Sequence, residues 1–372
     1  MGKFGPEWNT PEADEALGKL STFESAWRDR QEFLESRGYM LRPRLRPGWI
    51  PSWRTAPVSI LDAEDAVILP HRRHLVDATR INDGLLVYIK RTRTGDSESR
   101  ILALLNAPDV RDDPRNHAVR ILDGFEDDVD PTVSYVVMPF LRPVDDPPFQ
   151  RVGECKRFVD QILEGLDFLH LQGIAHRDID VKNVHMDATA LYPRGFHPVH
   201  RELAPDLSRR ARVRPRSGDN VEYCYIDFGI SSHFPSGTEE PRVTGVAGRN
   251  QAVPELSRTV PYDPFKVDVF SVGTLLEQVF TEKYLNTEFL RPLIESMTAK
   301  DPAARPTATE ALAHWKVLSE SVGPFARSLW LQEREIPHAL TLIMAPFDLL
   351  QAVTVLLCQI LTRRPAVRRA VQ

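Results

Sequence analysis

The sequence predicts an α+β chain of two lobes, the first rich in β-strand and the second α-helical. Three observations carry this. Between 65 and 141 the apolar residues fall in short runs of strand character: DAVILP (65–70), HLVDATRI (74–81), LLVYIK (85–90), HAVRILDGFED (117–127) and VSYVVMPFL (133–141). After RPVDDPPF the period changes, and RFVDQILEGLDFLHLQG (157–173) reads as a strongly amphipathic helix. Helical patterns then dominate to the end, which puts a hinge near 138–145.

The elements follow in order. Residues 1–22 are polar and read as mobile. FESAWRDRQEFLESRGY (23–39) spaces Phe23, Trp27, Phe33 and Leu34 as one helix, with Gly38 as its stop. RPRLRPGWIPSW (42–53) is rich in proline and tryptophan and reads as extended; it either docks on the main domain or offers a partner site. Asn82-Asp83-Gly84 is a turn between two strands, and SESRILALLN (97–106) is helical. The organisation expected is an N-terminal extension (1–56), a main domain (57–320) divided into lobes at 141/142 with an insert at 191–220, and a C-terminal tail (321–372).

Composition bounds the function. The chain has 372 residues, 42% hydrophobic and 27% charged, with a net charge of −5, so it is globular and does not read as a polyanion binder; nucleic acid is not an expected partner. Its three cysteines, Cys155, Cys224 and Cys358, form no CxxC pair, which points to a reducing intracellular compartment, cytoplasmic or nuclear, and to no structural zinc. The start lacks the apolar core of a signal peptide, and Pro6 stands where a myristoylation motif wants Ser or Thr. Lysine occurs only nine times, so a lysine found where chemistry needs one carries weight.

The chemistry-bearing residues come in a fixed order. Lys90 ends the VYIK strand, and Glu98, eight residues on, opens the next helix and can pair with it. HRDIDVKN (176–183) holds Asp178 and Asn183. CYIDFG puts Asp227 at the end of an apolar strand, followed by Phe228 and Gly229. Phosphoryl transfer needs such a set: a cation on the non-transferred phosphates, oxygen ligands for Mg²⁺, and a carboxylate to orient the attacking hydroxyl. Singly each element is weak; in this order and spacing they are specific.

Together these motifs resemble the eukaryotic protein kinases over about 65–320, a bilobal protein-kinase-like fold. VPE (253–255), DVFSVG (268–273) and DPAARPT (301–307) resemble that family's structural ties, with Arg305 expected on Glu255 and Asp268 on the catalytic-loop backbone. The resemblance implies ATP and Mg as cofactors and a protein substrate. It assigns Asp178 to the hydroxyl, Asn183 and Asp227 to the metal, and Lys90, Glu98 and Met138 to the nucleotide between the lobes. The Pro-rich lead-in and the insert also look similar to a fungal kinase-like group of mushroom-forming species.

The pattern is broken in places. The phosphate-covering loop should be glycine-rich, yet LPHRRHLVDA (69–78) has no glycine; Arg72, Arg73 and His74 either supply charge there or form an exposed basic turn. Asp180 stands where many relatives carry a lysine, and Gly248, seven before Glu255, replaces that lysine's usual threonine partner. Lys182 sits where many tyrosine kinases place an arginine, so it is taken as a catalytic cation in a different seat. Arg177 suggests pairing with a phosphorylated activation-segment residue, with Thr244 best placed. The insert carries Arg209, Arg210, Arg212, Arg214 and Arg216, a solvated loop or a dock for acidic substrate or nucleic acid.

ALTLIMAPFDLLQAVTVLLCQIL (339–361) is the most apolar stretch. Its twelve Leu, Ile, Val and Phe residues favour membrane insertion by roughly 5 kcal/mol in total, and Asp348 returns about 3. A span is therefore marginal. As a helix from Pro346 it suits docking on protein, or an interfacial position with the terminal arginines on anionic headgroups, so contact with a membrane surface stays open. The expected function is an ATP- and Mg-dependent protein kinase, Ser/Thr over Tyr on abundance alone, slowed by the missing glycines and Asp180. The alternatives are a pseudokinase acting as an interaction module and, less well matched, a small-molecule phosphotransferase. Oligomeric state is open.

Overall fold

The computed structural model describes residues 6–68, 74–216 and 221–335. They fall into two compact units, one drawn from described residues within 1–111, 119–142 and 187–221, the other from those within 112–118, 143–186 and 222–335, and 142/143 is one of the points where the chain passes between them.

The first unit is built on a five-stranded antiparallel sheet, ordered β1-β2-β3-β5-β4. The strands are β1 (Tyr39–Leu41), β2 (Leu75–Arg80), β3 (Leu86–Arg93), β4 (Asp123–Glu126) and β5 (Val133–Pro139). Alternation along β3 buries Val87 and Ile89 on one face with Val76, Ala78 and Val137. That face is covered by Trp27 and Leu34, from the segment expected to be a single helix. Instead there are two, α1 (Thr22–Arg28) and α2 (Gln31–Ser36). The break falls at Asp29–Arg30, where Arg30 turns its guanidinium to Asp127 at 3.2 Å and over the Phe33 ring at 4.7 Å. Gly38, at φ +91°, then makes the turn into β1 that a side chain would resist.

Two strand expectations are corrected. Residues 64–66 form a 3-10 turn, because the Asp65 carboxylate accepts bonds from the Trp49 indole (2.9 Å), the Ser52 amide (2.8 Å) and the Ser52 hydroxyl (2.6 Å); residues 69–73, with Arg72 and Arg73, lie outside the described residues. Of 117–127 only Asp123–Glu126 is strand. Asn106 takes the backbone before it, donating to the Val119 carbonyl at 3.3 Å and accepting from the Ile121 amide at 2.8 Å.

The described part of the lead-in, from residue 6 on, forms local structure and packs through side-chain contacts. Residues 11–17 are helical, behind a Thr10 cap, and the Pro/Trp-rich stretch docks through Arg44. Its buried guanidinium meets Glu24 at 2.8 Å and the carbonyls of Leu17 (2.6 Å), Lys19 (2.8 Å) and Asp65 (3.1 Å). Glu24 is in turn fixed by the capping box with Ser21 that starts α1.

The insert also packs. Leu191, Tyr192, Phe196 and His197 are buried. The fully buried Arg142 guanidinium lies against the rings of Tyr192 (4.4 Å) and Phe196 (4.3 Å) and donates to the Arg201 carbonyl at 2.8 Å. The expected solvated loop is thus confined to the basic run, where Arg209, Arg210, Arg212 and Arg214 are exposed.

The second unit is helical. Its centre is α3 (Val152–Leu171), which contacts α4 (Pro264–Leu276) and α5 (Ala308–Glu320) and whose Phe158, Ile162, Leu166 and Leu169 are buried. Asp263 caps α4 with Pro264 at its first position, and Thr307 and Glu310 form a capping box on α5. Among the described residues no helix is long and apolar enough to cross a membrane; the apolar stretch 339–361 lies outside them.

The Arg44–Glu24 pair is fully desolvated, so removing one partner strands a buried charge. Glu24→Ala is expected to cost about 3–5 kcal/mol in urea unfolding, and Glu24→Leu with Arg44→Met to cost far less.

Candidate functional site

In the first unit, β3 delivers Lys90 and the helix Ser97–Leu105 delivers Glu98. Asp96 caps that helix by accepting from the Ser99 amide at 2.7 Å, which sets Glu98 in its first turn. Lys90 Nζ donates to Glu98 Oε1 at 2.6 Å, with both side chains largely buried. In the β3–β5 register Lys90 faces Val136 and Tyr88 faces Met138, so Met138 lies on the same sheet face as Lys90 and is half-buried.

In the second unit, the loop 176–183 is hung from α4. The buried Asp268 carboxylate accepts from the His176 amide (2.7 Å) and the Arg177 amide (2.7 Å), and meets His170 Nε2 at 3.1 Å. These bonds hold Arg177 at φ +68°, a left-handed conformation rare outside glycine. The His176 ring is buried, bonded to the Ile226 carbonyl at 3.1 Å and set against Phe228 at 4.8 Å; burial pushes its pKa down, which keeps it neutral.

The reversal at Arg177 turns Asp178 out of the loop. Asn183 Nδ2 donates to the Asp178 carbonyl (2.8 Å) and to Oδ2 (2.7 Å). The Arg249 amide donates to Oδ1 at 2.6 Å. Burial pushes the Asp178 carboxyl above its ordinary range, and these two donors pull the other way. The Ile226 amide bonds the Asn183 carbonyl at 3.0 Å, which brings the backbone before Asp227, at φ +65°, up to Asn183. Asp178, Asn183 and Asp227 are therefore brought together. Glu255 receives Arg305 in a two-pronged pair at 2.5 and 2.9 Å, as the motif reading expected.

Two expected residues behave otherwise. Lys182 is exposed, and its ammonium meets no acceptor among the described residues. It does not neutralise Asp180, whose carboxylate instead accepts the Lys182 amide at 3.0 Å and so closes the turn. Arg177 bonds the carbonyls of Ile230 and Thr244 and the Ser232 hydroxyl, each at 3.1 Å, so it reaches the backbone of Thr244.

Sequence reasoning missed Arg249 and read Gly248 only as a loss. A Cβ on Gly248 would meet the Arg177 carbonyl oxygen at 2.6 Å. A glycine there permits the close approach that brings the Arg249 amide onto Asp178. That glycine was the available signal. Among the described residues no group of three or more His, Cys, Asp or Glu could hold a metal ion by itself.

A protein kinase domain model matches residues 144–288. The chain is similar to the serine/threonine-protein kinase PSK1 of Saccharomyces cerevisiae, 27% identical over 192 residues, covering 49% of this chain and 11% of that protein. It is similar to the serine/threonine-protein kinase ppk8 of Schizosaccharomyces pombe, 30% identical over 114 residues, 30% of this chain and 16% of that one. It is also similar to the hormonally up-regulated neu tumor-associated kinase of Mus musculus, 24% identical over 193 residues, 44% and 22% of the two chains. The matches thus span 11% to 22% of these relatives' own length. A β-sheet unit, a helical unit and the match over 144–288 fit a bilobal α+β kinase fold.

Asp268→Asn replaces an acceptor of two amides with a group that clashes with one. Hydrogen bonds to a charged partner contribute about 1.5–3 kcal/mol each, so the variant is expected to lose roughly 3 kcal/mol in urea unfolding. An unchanged midpoint would mean the loop holds its shape without that carboxylate.

Proposed function

We propose that this chain is a protein kinase that uses Mg·ATP to phosphorylate a protein hydroxyl, with Ser/Thr favoured over Tyr. The Ser/Thr preference rests on the likeness to the two serine/threonine-protein kinases of yeast. The observation that carries the reading is the pairing in Asn183. Its amide nitrogen is spent on the Asp178 carbonyl and carboxylate, and its Oδ1 has no donor among the described residues. That oxygen, with the carboxylate of Asp227 one residue after the Ile226 amide that bonds the Asn183 carbonyl, suits a hard divalent cation, which takes its remaining ligands from phosphate and water. Bound Mg²⁺ would supply charge to the phosphates.

The chain's own residues do the rest. Asp178 takes the hydroxyl of the substrate and then its proton; its raised pKa suits that acceptance. Lys90, steered by Glu98, takes the non-transferred phosphates. Met138 gives the nucleotide an apolar contact on the face that Lys90 shares. Lys182, exposed on the loop, is a cation open to a substrate. The finer likeness to the fungal group of mushroom-forming species rests on the lead-in and the insert.

The glycine-free stretch 69–78 favours a second reading, a pseudokinase that acts by binding. Two measurements separate them. Mg·ATP is expected to raise the melting temperature by mass action, and Asp227→Asn to remove most of the shift; a pseudokinase without nucleotide would show none in either protein. Label from γ-³²P-ATP is expected to reach an acceptor protein with the parent chain and to fall ~10³-fold or more with Asp178→Asn. Equal labelling in both would sink the enzyme reading.

A further inference from the structure

Asp180 leaves the catalytic loop without the cation that phosphoryl transfer calls for beside Asp178. The described cations of this unit near the loop are Arg177, Lys182 and Arg249. Arg177 is turned away to Ile230, Ser232 and Thr244. Lys182 is exposed and makes no ion pair among the described residues. Arg249 alone reaches Asp178, with Nε 3.7 Å from Oδ2.

We infer that Arg249 is the transfer cation of this site, a catalytic residue supplied by the activation segment in place of one on the loop; this rests on the kinase reading above. Its placement is built, not incidental. Gly248 lets the chain pass within reach of the Arg177 carbonyl, and the Arg249 amide is then bonded to Asp178 Oδ1 at 2.6 Å. That bond fixes where the side chain starts. The Arg249 side chain is 47% exposed, and its two terminal nitrogens have no partner among the described residues. A guanidinium fork held at its base and open at its tip fits the equatorial oxygens of a phosphoryl group.

The carboxylate keeps capacity for its own task. Each Asp178 oxygen has two lone pairs, and the Arg249 amide and Asn183 take one on each oxygen. A substrate hydroxyl can still bond. As its oxygen joins the γ-phosphorus, the bond to the β–γ bridging oxygen breaks. The electron pair leaves on ADP and the hydroxyl proton passes to Asp178. Charge grows on the transferring oxygens, where Arg249 would sit.

The test uses the full chain with Mg·ATP and casein as acceptor. Arg249→Ala is expected to lower kcat ~10²–10³-fold, the usual loss for one preorganised donor, with KM for ATP changed far less. The alanine keeps the backbone amide, so the melting temperature without nucleotide should be unmoved. Arg249→Lys should retain more rate than the alanine, Lys182→Ala should lose far less, and Asp180→Lys should restore rate in the Arg249→Ala background. A second readout needs no turnover: the extra melting shift of Mg·ATP over Mg·ADP should vanish in Arg249→Ala. If Arg249→Ala matched or outran the parent, or Lys182→Ala lost more, the assignment would be overturned. So would an ATP-over-ADP difference retained in the alanine variant. A parent chain with no shift for either nucleotide would overturn the kinase reading and this one with it.

Discussion

The second unit is organised by one buried carboxylate. Asp268 accepts two successive amides, those of His176 and Arg177, from inside α4. Holding Arg177 at φ +68° costs about 1–2 kcal/mol. Two charge-assisted bonds offset that and more. Without the reversal at Arg177, Asp178 would follow the preceding strand into the core. With it, Asp178 turns toward Asn183, and the Arg177 carbonyl turns toward Gly248. The geometry of the site is therefore a consequence of a residue that touches none of the chemistry.

A similar logic runs through the first unit, where a buried arginine does the organising. Arg44 gathers the carbonyls of Leu17, Lys19 and Asp65 around itself and pairs with Glu24. Arg142 does the same for the insert, with two rings and the Arg201 carbonyl. Guanidinium serves this purpose better than ammonium, since five donors in a plane satisfy several carbonyls at once. A chain with many arginines and nine lysines has the means to fix irregular segments this way.

What the sequence makes legible follows from how local the cause is. Lys90 and Glu98 lie a strand end and a helix start apart, so spacing alone brings them together, and they meet at 2.6 Å. Asp178 and Asn183 share a loop, and Glu255 with Arg305 come as recognisable motifs. The break at Asp29–Arg30 was not legible, because the partner of Arg30, Asp127, is far away in the chain. The early loss of the strand at 117–122 was hidden for a similar reason: a side chain, Asn106, replaces a ladder. The packing of the insert could not be read either, since its proline and arginine content imitates a solvated loop. That the Asp180 carboxylate takes the Lys182 amide rather than its ammonium was not legible either, because neighbours in sequence need not pair by charge.

Asp180 and Gly248 looked like two losses, and the structure relates them differently. The Asp180 carboxylate closes a turn on the Lys182 amide, a task a lysine could not perform. Gly248 gives up a side-chain hydroxyl and gains approach, so that a backbone amide, from Arg249, reaches Asp178 in its stead. A backbone donor has no rotamer freedom to lose, so it orders the carboxylate with less entropic opposition than a threonine hydroxyl would. It also ties a side chain to the bonded residue, and here that side chain is a guanidinium. One substitution thus alters both the hydrogen bond to Asp178 and the charge beside it. In the structure, then, the Asp180 carboxylate serves the turn of its own loop, and what reaches Asp178 from 248–249 is a close backbone approach, an amide and a guanidinium 3.7 Å away.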